Sequence, residues 1–244
     1  MTHEEYKQVV VVAFGGPSSS GKTTCAKAVH SLIKNSRLIH LDDFYLADHL
    51  IPVDPVTGQQ NWDVPEALDF ARFTSYIKSI RQSHNLEDKI DTLEPDTNLK
   101  LTAQEVQQFE AKIAQNIPDL DNTLLVLVDG FMLFHDREII QLFDVKLFFH
   151  ASFETLKNRR ESRKGYNTVE GFWVDPPNYF RDMVWPAYES SHKYLFENKD
   201  VDGVLKSEYK TQYQIHDIRN ETGVKLYEVV DWSLQHIFAM VKRL

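Results

Sequence analysis

Cysteine occurs once among the 244 residues, at position 25, which rules out any disulfide within the chain and any zinc site built on paired cysteines. Cys25 stands among Thr24, Ala26 and Ala28, the setting of a small buried apolar residue rather than of a reactive thiol. The ten histidines show no metal-ligand spacing, and neither a G-x-S-x-G nucleophile elbow nor a guanine-reading N-K-x-D occurs. The apolar runs all fall well short of the roughly 20 residues that a membrane span needs. Met1 to Glu5 carry no basic leader pattern. Basic residues are also scarce: Lys and Arg total 27 against 36 Asp and Glu, a formal net charge of −9 with no dense basic stretch. That balance argues against nucleic acid and anionic membranes as partners. No obligate protein partner is evident either, and the expected location is the reducing cytoplasm, with a nuclear presence compatible.

What the chain does contain is a phosphate loop. The run Val9-Val10-Val11-Val12-Ala13-Phe14 has the continuous β-branched character of a strand buried on both faces, and it leads into Gly16-Pro17-Ser18-Ser19-Ser20-Gly21-Lys22-Thr23. This is G-x-x-x-x-G-K-[ST] in its required context of strand, turn and helix. The glycines let successive backbone N–H groups turn inward around an anion, where a side chain would block the approach. Lys22 then reaches the β- and γ-phosphates, Thr23 offers its hydroxyl to Mg²⁺, and the helix expected over Lys22 to Ile33 aims its positive end at the same anion.

Further strands are expected at Arg37–Leu41, Leu124–Val128 and Asp144–Phe149. Residues 46–61 read as a loop. Asp63-Val64-Pro65-Glu66 reads as a helix start with Asp63 as N-cap, the helix running to about Arg81. The polar stretch 82–100 reads as a surface excursion, and Thr102-Ala103-Gln104-Glu105 as a capping box. A helix from Ser152 is expected to end at Gly165. Residues 178–196 look helical, 197–224 irregular with room for one strand, and Tyr227–Arg243 amphipathic. Strands alternating with helices imply an α/β fold, a mostly parallel sheet with helices on both faces, in a single domain spanning 1–244 with a helical lid at about 157–177.

Two acids end strands beside the loop. Asp42, after the second strand, suits the acceptance of a proton from an attacking hydroxyl, with a helix cap as its alternative role. Asp129 suits the orientation of a metal or its waters, with an Asp-Gly turn as the alternative. Arg159, Arg160, Arg163 and Lys164 cluster in an otherwise acidic chain, as charge spread over transferring phosphoryl oxygens requires, although a solvated helix face has the same composition. Trp62 and Tyr166 could stack on a flat ring, a cationic one above all, or pack in the core.

The combination of Gly16–Thr24, Leu41-Asp42-Asp43-Phe44-Tyr45, Asn61-Trp62-Asp63, Asp129-Gly130-Phe131, the Arg159–Tyr166 stretch, Asp175-Pro176-Pro177 and Val184-Trp185-Pro186 resembles the nicotinamide riboside kinases, the fungal ones in particular, among the uridine kinase-like P-loop kinases. The resemblance implies transfer of the ATP γ-phosphate to the 5′-hydroxyl of nicotinamide riboside, with nicotinic acid riboside as a second substrate and Mg²⁺ as cofactor, on a salvage route to NAD. It implies Asp42 and Lys22 in catalysis, and ATP contacts from Gly16, Ser18, Ser19, Ser20, Gly21, Lys22, Thr23, Thr24, Arg159 and Arg163. It implies Asp63 and Arg160 at the ribose, Trp62 and Tyr166 sandwiching the pyridine ring, and Thr23 and Asp129 at the metal. Asp129 stands where relatives often carry Glu, and Gly165 looks like an added residue before Tyr166. A uridine, cytidine or pantothenate kinase on the same fold is the nearest alternative. A non-catalytic ATP-binding switch is the alternative from another class.

Overall fold

The computed structural model describes residues 6–83, 92, 101–117, 120–167 and 171–244. The chain opens with β1 (Gln8–Gly15), α1 (Lys22–Leu32) and β2 (Ser36–His40), then α2 (Phe70–Ser83) and α3 (Ala103–Asn116). β3 (Thr123–Gly130), α4 (Arg137–Ile140), β4 (Val145–His150) and α5 (Phe153–Glu161) follow. A two-strand hairpin of β5 (Tyr166–Asn167) and β6 (Phe172–Trp173) leads to α6 (Trp185–His192), α7 (Ser207–Thr211), β7 (Ile215–Arg219) and α8 (Leu226–Val241).

The main sheet has the order β2-β3-β1-β4-β7, and all of its pairings are parallel. Alternation along the central strands divides the core in two. Val11 and Ala13 of β1 with Leu124, Val126 and Val128 of β3 face one side, against Phe73 and Ile77 of α2. Val10, Val12 and Phe14 with Leu125 and Leu127 face the other, against Val29 of α1, Phe109 of α3 and Val230 and Leu234 of α8. A strand buried on both faces needs apolar residues at every position, and Val10 to Phe14 are indeed fully buried.

The capping box of α3 is as the sequence implies. Thr102 Oγ1 accepts from Glu105 N at 3.2 Å, and the Glu105 carboxylate accepts from Thr102 N at 2.7 Å. Ser152 likewise caps α5, accepting from Thr155 N at 3.4 Å. Before α6, Phe180–Val184 form a π-helical turn, a widening consistent with Pro186, whose nitrogen cannot donate back to residue 182.

Three expectations are corrected. Asp63 caps no helix: a 3₁₀ turn spans Pro65–Ala67 with Val64 before it and no side-chain cap, and α2 begins only at Phe70. The carboxylate is engaged elsewhere, as described below. Gly165 does not end α5, which stops at Glu161. Its φ of +140° instead serves the hairpin, where a Cβ would stand 2.5 Å from the Trp173 carbonyl oxygen. Residues 197–224 hold the one strand allowed for, β7 at the sheet edge, and in addition a short helix, α7, that the sequence did not suggest. The stretch 82–100, apart from residues 82, 83 and 92, lies outside the described residues.

Candidate active site

The loop between β1 and α1 is shaped by close approach. Gly16 has φ +135°, and a Cβ there would lie 1.9 Å from the Phe149 carbonyl oxygen. Gly21 has φ +90°, and its Cβ would lie 2.4 Å from Asn220 Nδ2. Ser19, at φ +66°, takes the left-handed conformation without being a glycine. Asn220 Nδ2 donates to Ser20 O at 2.8 Å, and its own backbone N–H donates to His150 O at 2.7 Å, so the end of β7 holds the loop in place. The hydroxyls of Ser19 and Ser20 are buried with no hydrogen-bond partner among the described residues. Buried polar groups are almost always paired, so a polar ligand fits here. Thr24 is the exposed residue of the first turn of α1.

Register brings the strand-end acids to this loop. Phe14 and His40 both pair with Asp129, and Gly15 pairs with Gly130. Asp42 therefore follows two residues after a position level with Asp129, in a 3₁₀ turn over Leu41–Phe44. Asp129 Oδ2 lies 3.0 Å from His40 Nδ1, and the Thr23 hydroxyl also hydrogen-bonds this carboxylate. Burial alone would raise the Asp129 pKa. The His40 hydrogen bond and the charge of Lys22 outweigh it, so the group lies below the ordinary carboxylate range. Its Oδ1 is buried without a partner among the described residues. A hydroxyl beside an ionised carboxylate with an open oxygen suits a hard cation that brings most of its ligands as water and phosphate oxygens. Among the described residues no three His, Cys, Asp or Glu cluster as a self-sufficient metal site.

Arg160, projecting from α5, is the hub of the site and only 7% exposed. Its Nε and Nη2 grip Asp175 at 2.6 and 3.1 Å, and Nη1 donates to Ser18 Oγ at 2.9 Å and Asp63 Oδ1 at 3.3 Å. Such a bidentate fork fixes direction as well as distance. Burial pushes the Asp63 carboxyl above its usual range, with Arg160 opposing and Lys22 also bearing on it. Asp63 Oδ2 has no partner among the described residues, an acceptor suited to a sugar hydroxyl. Arg159 Nη1 reaches Ser19 O at 3.4 Å. Arg163 is exposed and lines a cavity of about 280 Å³ with Arg160, Asp175 and Tyr179. Glu221 anchors the base of α5, accepting from Ser152 N at 2.7 Å, Ser152 Oγ at 3.0 Å, Thr155 Oγ1 at 2.7 Å and Arg219 Nε at 3.0 Å.

Trp62 lies beside the hub in a nest of rings. Tyr45 meets it edge-on at 5.4 Å and donates its hydroxyl to Trp62 O at 3.0 Å, and Trp173 lies 6.3 Å away. The backbone of Tyr166 pairs with Trp173 across the hairpin, and its side chain lies outside the described residues; among those described, Trp173 is a further ring beside Trp62. Of the residues singled out in the sequence, the structure brings Ser18, Asp63 and Arg160 into direct contact, sets Trp62 next to Asp63, and places Asp129 and Asp42 at neighbouring strand ends. Sequence reasoning gave no role to His40, Trp173 or Asn220, and none to Asp175 beyond a motif letter. Only the aromatic and proline-rich composition of 172–177 hinted at the last group.

A parallel sheet with a phosphate loop after its central strand, an acid at the end of each strand on one side and a helix that brings arginines to that loop defines a P-loop kinase. Residues 11–167 match the phosphoribulokinase / uridine kinase family. The chain is 40% identical to the nicotinamide riboside kinase of Saccharomyces cerevisiae over 97% of this chain and 98% of that one. It is 39% identical to that of Schizosaccharomyces pombe over 82% and 86%, and 37% identical to that of Eremothecium gossypii over 80% and 81%. The chain belongs to the phosphoribulokinase / uridine kinase family and, within it, to the nicotinamide riboside kinases.

Proposed function

We propose that this chain transfers the γ-phosphoryl group of ATP to the 5′-hydroxyl of nicotinamide riboside, giving nicotinamide mononucleotide and ADP, and that it also accepts nicotinic acid riboside. The observation that supports this most is the Arg160 guanidinium, which holds Ser18 of the phosphate loop and Asp63 beside Trp62 at once. One rigid cation thereby ties the donor site to a pocket with a free acceptor oxygen and a flat aromatic face.

In this reading Asp63 and Arg160 orient the ribose hydroxyls and Trp62 stacks on the pyridine ring. Asp42 accepts the 5′-hydroxyl proton as that oxygen attacks the γ-phosphorus and the bond to the bridging oxygen of ADP breaks. Lys22, Arg159 and Arg163, the last two on a lid over about 157–177, neutralise charge on the transferring group. Mg²⁺, held through Thr23 and Asp129, would neutralise the β- and γ-oxygens. The enzyme acts in the cytoplasm, and a fluorescent fusion confined to an organelle would count against that.

The test is initial-rate phosphorylation with ATP and Mg²⁺ across nicotinamide riboside, uridine, cytidine and pantothenate, read as ADP release and product mass. Nicotinamide riboside should give the highest kcat/KM. A higher value for uridine or pantothenate would overturn the substrate assignment, and nucleotide binding with no transfer to any acceptor would point to a switch protein.

A further inference from the structure

Asp129 has an anchor on the neighbouring strand. In the register of the parallel pair β2 and β3, His40 stands beside Asp129. Strand alternation turns both towards the face of Leu38, Leu125 and Leu127, which α1 covers with Lys22 and Thr23 in its first turn. Both side chains are buried, at 5% and 6% exposure, and His40 Nδ1 lies 3.0 Å from Asp129 Oδ2. An ionised carboxylate can only accept, so Nδ1 carries the shared hydrogen.

That bond decides how the carboxylate is used. His40 takes Oδ2, whereas Oδ1 is buried with no partner among the described residues. The charge of Lys22 also acts on Asp129. Without the His40 donor, that attraction would draw the carboxylate towards the lysine, removing an acceptor from the metal's waters and a cation from the phosphates. His40 also immediately precedes the 3₁₀ turn Leu41–Phe44 that carries Asp42. Its ring holds one strand-end acid while its backbone leads into the turn bearing the other.

We propose that His40 is a positioning residue for the metal–nucleotide complex, its ring locking Asp129 with Oδ2 engaged and Oδ1 left for the cation or a water bound to it. This rests on the reading of Thr23 and Asp129 as the metal-holding pair given above. Losing a partner that orients a metal-binding group typically weakens the metal about 10- to 100-fold.

The probe is Mn²⁺ in place of Mg²⁺. Its dissociation constant from the protein–ADP complex is read from the electron paramagnetic resonance signal of free Mn²⁺, and that of metal-free ADP by calorimetry in EDTA. Both are measured at about 15 °C, near the usual maximum of folding stability. His40→Leu keeps a buried side chain without the donor, so it should weaken Mn²⁺ about 10- to 100-fold and leave metal-free ADP within about twofold. His40→Asn, whose amide nitrogen stands about where the ring Nδ1 does, should return Mn²⁺ affinity to within about threefold of the wild type. Wild-type Mn²⁺ affinity in His40→Leu overturns the inference, as does a failure of His40→Asn to recover. Equal losses of Mn²⁺ and metal-free ADP would assign the ring to the fold and overturn it too. His40→Met makes the same comparison if His40→Leu does not fold, and loss of folding in both would again assign the ring to the fold. Asp129→Asn separates the underlying reading: unchanged Mn²⁺ affinity there overturns Asp129 as a metal-orienting group, whereas a loss there with none in His40→Leu overturns only the role of His40.

Discussion

Asp63 allows a sharp separation of binding from stability. Its carboxylate is 5% exposed, pushed towards the protonated form by burial, and offset by Arg160 at 3.3 Å. Asp63→Asn keeps the shape, removes the buried charge, and leaves Arg160 with both of its bonds to Asp175. Stability should therefore change by no more than about 1 kcal/mol, a shift in Tm of roughly 2–4 °C for a chain of this size. Affinity should respond very differently. A charge-assisted hydrogen bond to a sugar hydroxyl contributes about 1.5–3 kcal/mol, so KM for the riboside should rise roughly 10- to 150-fold while KM for ATP stays close to wild type. Arg160→Met is the counterpart, since it strands two carboxylates without their cation. The expected cost of about 3–5 kcal/mol corresponds to a fall in Tm of roughly 6–20 °C. Thermal unfolding and steady-state kinetics on the two variants read all of this. An Asp63→Asn protein that melts much lower yet keeps its riboside KM would show that the carboxylate serves the fold alone.

Asp42→Asn should abolish phosphoryl transfer while ATP still binds, as the phosphate loop is untouched; turnover near the wild-type rate would refute Asp42 as the base. Burial alone would raise the Glu221 pKa, but hydrogen bonds from Thr155, Ser152 and Arg219 bring it from an ordinary 4.5 to about 2. A depressed carboxylate pKa contributes stability above the unfolded value, lost as pH falls through the folded one. Tm should therefore drop between about pH 4.5 and 2 less steeply in Glu221→Gln than in the wild type, and equal slopes would discount this contact. Cys25 is buried beside Ser233 Oγ at 3.3 Å, and burial pushes its thiol up to about 12. It should resist iodoacetamide at pH 8 until the chain unfolds, and rapid labelling of the folded protein would contradict that packing.

The parts of the molecule legible in the sequence are those whose cause is local. A continuous β-branched run can only be a strand buried on both faces, and G-x-x-x-x-G-K-T can turn inward only around an anion, so β1, the loop and α1 lie where the residues imply. The Thr102 capping box is likewise settled within four residues. Asp63 was misleading for the converse reason. Asp-x-Pro-Glu is a sound local start signal, but its carboxylate is claimed by an arginine 97 positions away, an interaction no window of sequence contains. β7 was obscured because an edge strand need not be apolar throughout: Ile215-His216-Asp217-Ile218-Arg219 lacks the hydrophobic run of its neighbours. Trp173 and Asp175 are fixed by the hairpin and by Arg160, and their composition alone does not distinguish them from packing residues.

The bond from Asn220 to Ser20 spans 200 positions, the whole body of the fold. The phosphate loop leaves the ribosome 200 residues before the group that clamps its turn. A nascent chain therefore carries the nucleotide-binding signature long before it can adopt the finished grip. A ligand that needs the clamped turn is a ligand for the completed protein alone, and its binding rewards that final step of assembly.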